Sequence, residues 1–231
     1  TTARALKHHG GAPPDSLAGS MTINGWMHGA LPSFRLAGNV QGTNVVVRRE
    51  AGNEIGGAFD LTNPFTAPTG TLSLRSRTLR LGGVALDTVG FALRVNEGRT
   101  GAFSVSARET NGANLATQGE FSRSDSSMLV SIRSLSLATD SSRWLMAGNS
   151  GVLLRGRDVT IDSLLLFNER GGRVALSAVV PDTGRARFHL RADSLPLRDI
   201  GMLAQIKAPL SGWANFTVTG AISGAASADT N

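Results

Sequence analysis

From residue 19 onward, apolar and polar side chains trade places at every second position in one short stretch after another. Leu72 and Leu74 alternate with Thr71, Ser73 and Arg75; Phe91, Leu93 and Val95 alternate with Ala92 and Arg94; Phe103 and Val105 alternate with Ser104 and Ser106. Val130 and Ile132 share one parity against Ser131 and Arg133, as do Val174 and Leu176, then Phe188 and Leu190, then Phe216 and Val218. Successive side chains of a strand point to opposite faces, so a period of two predicts strands with one apolar and one wetted face. Between these stretches lie Asn24-Gly25, Gly56-Gly57, Asn63-Pro64, Gly82-Gly83, Asn96-Glu97-Gly98, Asn111-Gly112, Gly171-Gly172 and Pro181-Asp182-Thr183-Gly184. Such residues supply the positive φ of tight hairpins, so consecutive strands are expected to pair antiparallel, roughly 14 of them in all.

One segment breaks the period. From Pro196 to about Ile206, Leu197, Ile200, Leu203 and Ala204 recur at helical spacing, with Asp193 or Ser194 standing where a cap is needed and Pro209 blocking extension. The expected organisation is a ragged segment over 1–18, one repetitive β domain over 19–220 with a short helix at about 196–206, and a second ragged segment over 221–231. A faint internal echo runs through the domain. Val84 to Phe91 resembles Val159 to Leu166 at an offset of 75 residues, with Asp87 and Asp162 in matching places.

Composition narrows what such a sheet can do. The 28 glycines and 8 prolines in 231 residues stay below the ~25–30% of disordered low-complexity chains, so the chain is expected to fold. Charged residues make up 17%, against a usual ~25%, leaving Ser, Thr, Gly and Asn to cover the surface. The net charge of +6 is almost all arginine, since Lys7 and Lys207 are the lysines, and it is spread along the chain. Nucleic-acid binders concentrate basic side chains with aromatic platforms between them, and no such cluster occurs, so no nucleic-acid partner is expected. The chain has no cysteine and no tyrosine; Trp26, Trp144 and Trp213 stand apart, which disfavours sugar platforms.

Catalytic and metal-binding patterns are scarce. His8 and His9 are adjacent, His28 and His189 are isolated, and no partner stands at ligand spacing, so no metal, no cofactor and no enzymatic activity is expected. No nucleophile elbow, P-loop or dinucleotide fingerprint occurs. The place of Asp87 and Asp162 in the echo suits a structural role better than an active site. Arg185, Arg187, His189 and Arg191 form a basic stripe on one strand face, either a solvated surface or a contact for anionic head groups or an acidic partner. Apolar runs such as Leu164 to Phe167 fall far short of the ~20 residues that span a bilayer as a helix. With a dozen strands and one short helix, the sheet must cover itself as a barrel, a sandwich or a solenoid, or stay open as a trough.

The C-terminal third supplies a resemblance. Leu153 to Leu166, then Gly172 to Val179, then Phe188 to Leu197, then the short helix, then Ala208 to Gly220 resemble the TamB and AsmA-like proteins of Gram-negative envelopes. Their cadence is a strand pair, a strand ending in a Leu-Pro-Leu step (here Leu195-Pro196-Leu197), a short helix, and a strand between two glycines (Gly212 and Gly220). Residues 185–220 follow it closely and 69–122 more loosely. The resemblance implies a mainly β fold: a long, curved, mostly antiparallel sheet folded into a U-shaped groove, likened to a taco shell, with one short helix. It also implies a periplasmic, non-catalytic segment that conducts phospholipid acyl chains between the two membranes. The groove lining would be Leu72, Leu74, Phe91, Leu93, Phe103, Val105, Val130, Ile132, Val174, Leu176, Phe188, Leu190, Phe216 and Val218, and Arg185, Arg187 and Arg191 would meet head groups or a partner. Neighbouring repeats of a longer chain, an inner-membrane anchor absent from this one, and an outer-membrane barrel assembly partner are implied with it. The alternatives are a chaperone-like scaffold for outer-membrane or secreted β-proteins, and a filled-core solenoid or adhesin passenger.

Overall fold

The structure, a computed structural model, describes residues 17–47, 50–81, 84–110, 112–203, 206 and 210–223. It is mainly β and antiparallel, with 14 strands and one short helix among these residues. The chain divides into two compact units, Thr1–Gly112 and Ala113–Asn231.

The first unit holds β1 (Leu17–Ala30), β2 (Ser33–Val47), β3 (Glu50–Thr62), β4 (Thr69–Leu81), β5 (Val84–Asn96) and β6 (Thr100–Glu109). Each strand pairs antiparallel with the next, a plain meander. The register stacks side chains of one parity into rows across the sheet. One row runs Ile23, Val40, Gly57, Leu74, Phe91, Val105, and the next runs Gly25, Gly38, Phe59, Leu72, Leu93, Phe103. The alternate parity carries Thr71, Ser73, Arg75 and Arg94, so one face is apolar and the other polar.

Two expected turns prove to be strand interior. Asn24-Gly25 lies in the middle of β1 and Gly56-Gly57 in the middle of β3. Their glycines serve close approach, not turn geometry. A Cβ on Gly57 would stand 2.6 Å from Leu74 Cδ2 and 2.7 Å from the Ser73 carbonyl, and one on Gly25 2.6 Å from the Ala37 carbonyl. Strand pairing and the overlying Leu74 occupy the space that a side chain would need.

The second unit holds β7 (Asn114–Arg123), β8 (Met128–Ala138), β9 (Arg143–Met146), β10 (Ser150–Arg155), β11 (Asp158–Asn168), β12 (Arg173–Val180), β13 (Arg185–Pro196), the helix α1 (Leu197–Leu203) and β14 (Trp213–Ser223). Here the meander is interrupted. Both β9 and β10 lie between β8 and β11, β10 pairing with the start of each and β9 with the end of each. They act as one strand broken at Ala147–Asn149, where Gly148 takes a φ of 68° and the Ala147 N–H bonds the Leu165 carbonyl at 2.9 Å. Beyond it, β11 to β14 pair in sequence order.

The helix is shorter than the sequence pattern suggests. It covers Leu197–Leu203, residues 204–205 lie outside the described residues, and the Ile206 N–H bonds the Gly201 carbonyl at 2.8 Å. Neither expected cap serves, because β13 runs on to Pro196 and the helix starts directly after it. Asp193 binds Arg191, and Ser194 sits inside β13 with a φ of 50°, its N–H held by Asn215 Oδ1 at 2.6 Å. Strands also start and end slightly beyond the 19–220 span, at Leu17 and Ser223.

The sequence echo has a structural counterpart. The β5–β6 register slips by one residue between Leu86 and Thr88, at Asp87, and the β11–β12 register slips between Ile161 and Leu164, at Asp162-Ser163. Both aspartates are exposed and stand at a β-bulge, where an extra residue is accommodated without a ladder partner.

Candidate functional site

The feature that stands out in each unit is an apolar sheet face with no second layer over it among the described residues. Among the described residues the buried apolar side chains are Phe34, Ala113, Trp144, Ala192 and Pro196. A sheet face packed under another layer would bury most of its inward side chains.

In the first unit, Leu72, Leu74, Phe91, Leu93, Phe103 and Val105 fall into the two rows described above, and all six are half-buried. Shape along the rows is graded by glycine. Phe59 lies over Gly38, whose Cβ would stand 2.8 Å from the ring, and Leu74 lies over Gly57. Each large side chain leans into its neighbour's notch, which lowers the apolar surface locally into a smooth floor. At one end Phe34 is buried, with the Phe65 ring 5.7 Å away centroid to centroid and the Asn63 N–H on its carbonyl at 2.8 Å. At β1 the face stays wet: Met21, Ile23 and Met27 are 62%, 58% and 65% exposed.

In the second unit one row runs Phe121, Val130, Val152, Ile161, Ala178, Phe188, Gly220, and another runs Leu164, Leu176, Leu190, Val218. Val130, Ile132, Val174, Leu176, Phe188, Leu190 and Phe216 are half-buried and Val218 is exposed. One end of the face is closed by described residues. There Trp144, in register with Leu137 and Asn168, stacks over Gly172, whose Cβ would lie 2.9 Å from the ring. The indole N–H donates to Asp199 Oδ2 on α1 at 2.9 Å.

Asp199 is 1% exposed and collects three more donors: the hydroxyls of Thr139, at 2.9 Å, Ser141 and Ser142. Burial pushes its carboxyl up, but the hydrogen bonds from Ser141, Ser142, Trp144 and Thr139 together hold it below the usual carboxylate value. Arg198 reaches Asp140 beside it at 2.7 Å. A single carboxylate thus clamps α1 onto the β8–β9 corner. The helical spacing over 196–206 gives no hint of this anchor; its signal is the Thr139-Asp140-Ser141-Ser142 run before Trp144, a cluster of hydroxyl donors beside an indole.

Several further members of the apolar face were also missed. Met21, Val40 and Phe59 escaped because glycines interrupt their alternation, and Val152 and Leu166 because Val152-Leu153-Leu154 and Leu164 to Phe167 are apolar at both parities. Only the strand register tells which of those residues faces which way.

The polar faces carry the arginines. Arg185, Arg187 and Arg191 are exposed on the side of β13 opposite Phe188 and Leu190; Arg191 binds Asp193 at 2.9 Å, and His189 Nδ1 lies 3.1 Å from the Thr219 hydroxyl. No group of three or more potential metal ligands occurs among the described residues, and His8 and His9 lie outside them. No helix among the described residues is long and apolar enough to cross a membrane.

No family model, curated protein or solved structure matches the chain. In each unit the described residues form a two-faced antiparallel sheet whose apolar side is largely half-exposed.

Proposed function

We propose that the chain is a segment of a TamB/AsmA-like envelope protein whose apolar face carries phospholipid acyl chains through the periplasm, without catalysis. In this reading the sheet curls into a U-shaped groove, the acyl chains lie along the floor, and head groups remain in water near Arg185 and Arg187. The rest of the longer chain supplies the inner-membrane anchor and the neighbouring repeats.

The observation that carries the reading is the half-exposed aliphatic face in both units. Contiguous apolar surface of this kind marks a binding surface in a folded protein. Its chemistry favours a flexible hydrocarbon over a ring system. The floor is built of Leu, Val, Ile, Phe and glycine notches and presents few hydrogen-bonding groups, so attraction is nondirectional. Each CH₂ withdrawn from water contributes roughly 0.8 kcal/mol wherever along the floor it lies. An acyl chain can then slide without breaking specific bonds.

The test is direct. Protein purified without detergent should carry phospholipid detectable by native mass spectrometry and lipid extraction. Val105→Arg and Leu176→Arg place a charge on the floor of each unit and should cut binding of an acyl-labelled phospholipid at least tenfold while far-ultraviolet circular dichroism stays unchanged. Absence of lipid, together with undiminished binding by both variants, would refute the reading. Crosslinks to unfolded β-protein segments in place of lipid would instead select the scaffold alternative.

A further inference from the structure

The hairpin turns of the two units are built from different residues. In the second unit the turns at 124–127, 139–142, 156–157, 169–172 and 181–184 each carry a charged residue, Asp125, Asp140, Arg157, Glu169 and Asp182 in order, and no large apolar one. At one end of the first unit the pattern is reversed. The β1–β2 turn is Leu31-Pro32, the β3–β4 loop is Asn63-Pro64-Phe65-Thr66-Ala67-Pro68, and neither 29–34 nor 61–70 contains a charged residue. Leu31 and Phe65 are 78% and 81% exposed, the two highest values among the described large apolar side chains. Both segments lie at the same strand ends: the Asn63 N–H bonds the Phe34 carbonyl at 2.8 Å, and the Phe65 ring lies 5.7 Å from that of Phe34.

We propose that this end of the first unit is a membrane-insertion tip, Leu31 and Phe65 entering the acyl region of a phospholipid bilayer while the strands behind them stay in water. The two segments suit a medium that offers no hydrogen bonds. Pro32, Pro64 and Pro68 have no N–H to satisfy, the N–H groups of Asn63 and Thr66 are bonded to the Phe34 and Asn63 carbonyls, and the Pro68 carbonyl accepts from Gly98 at 2.7 Å. A bilayer is the occupant because of shape. Two side chains projecting from narrow turns offer none of the flat surface, about 800 Å² a side, that a protein partner needs, whereas a fluid lipid surface closes around a protrusion. The third turn at this end, Glu97-Gly98-Arg99, is tied to Pro68 and carries one charge of each sign, which halts insertion with Arg99 at the level of the lipid phosphates. Strands that extend a sheet pair along its edges and leave the strand ends free, so the tip is compatible with a longer repetitive chain. It goes beyond the proposed function and stands whether or not the apolar face carries lipid.

Vesicles of phosphatidylethanolamine and phosphatidylglycerol supply the test. The chain should sediment with them, and Leu31→Ser combined with Phe65→Ser should lower the bound fraction about tenfold with unchanged circular dichroism, because two apolar side chains no longer leave water. Leu129→Ser, at an exposed position in the second unit, should bind as the parent does. Phospholipid extracted with the double variant should match the parent's, which separates the tip from the apolar face. The chain has no cysteine, so one introduced thiol can carry a polarity-sensitive dye. On Phe65→Cys the dye's emission should shift to the blue when vesicles are added; on Asp125→Cys, in a charged turn, it should not. A parent that stays in solution, equal binding by the double variant, or equal shifts at both dye positions would overturn the proposal. So would a matching loss of extracted lipid in the double variant, which assigns the effect to the apolar face, or crosslinking of the tip to a protein in place of lipid.

Discussion

The two units follow the same alternating pattern and reach different ends. The first is a six-strand meander of long strands, 10 to 15 residues each, with no helix among its described residues. Its buried apolar side chain is Phe34, at a hairpin end. The second has shorter strands, one of them broken into β9 and β10, and closes one end of its apolar face with α1. Ladder pairing and a period of two suffice for the first. Closing the second takes a buried carboxylate, because a seven-residue helix has too little apolar surface to hold itself on a sheet. The contrast teaches that in this molecule apolar residues make the surface while polar groups make the fixed points.

The largest expected effect separates the units. Asp199→Ala strands the donors of Thr139, Ser141, Ser142 and Trp144, and buried donors left without partners should cost about 3 kcal/mol in all. Hydrogen exchange should rise in α1, β9 and the β8–β9 corner and stay unchanged in β2 to β5. Equal loosening of both units would mean that they do not hold themselves independently. Next comes the backbone of the first unit. Gly70→Ala places a Cβ 1.9 Å from the Asp60 carbonyl at a φ of 144°, and should cost roughly 2 kcal/mol, with the faster exchange confined to β3, β4 and β5.

Acid gives a third, smaller separation. Asp199 is held below its usual value when folded, so its contribution is fully present above the unfolded carboxylate pKa of about 3.9 and is lost as pH falls through the folded value. Between pH 5 and pH 3 the urea midpoint of the second unit, followed by Trp144 emission, should drop while Asp199→Asn shows a flatter profile. Identical profiles would remove the carboxylate from the account. The smallest effect is expected at Arg35. Its guanidinium bonds Asp60 and lowers that carboxyl, but both side chains are about half exposed, so Arg35→Ala should leave the melting temperature of the first unit unresolved from the parent.

Much of this architecture was legible residue by residue. Leu72, Leu74, Phe91 and Leu93 alternate cleanly with polar neighbours, and their register rows follow from that parity. The bulges at Asp87 and Asp162 were foreshadowed by the echo between 84–91 and 159–166, since like sequences met like local geometry. Glycines misled where they stood for space instead of turn: Gly25 and Gly57 read as hairpin residues until the opposite strand showed what fills the gap. The run Leu164 to Phe167 could not be assigned to a face at all, because both parities are apolar.

What the sequence by itself determined is therefore the material of the molecule. Period-two patterning makes two-faced strands, short turns make neighbours antiparallel, and the lack of cysteine and of clustered titratable groups leaves a sheet surface as the candidate site. Only the tertiary structure decided which glycines are notches and where the ladder slips. It also showed that α1 is pinned by Asp199. Those facts depend on which residues of distant segments meet across a strand pair, and local side-chain preference carries no information about that meeting.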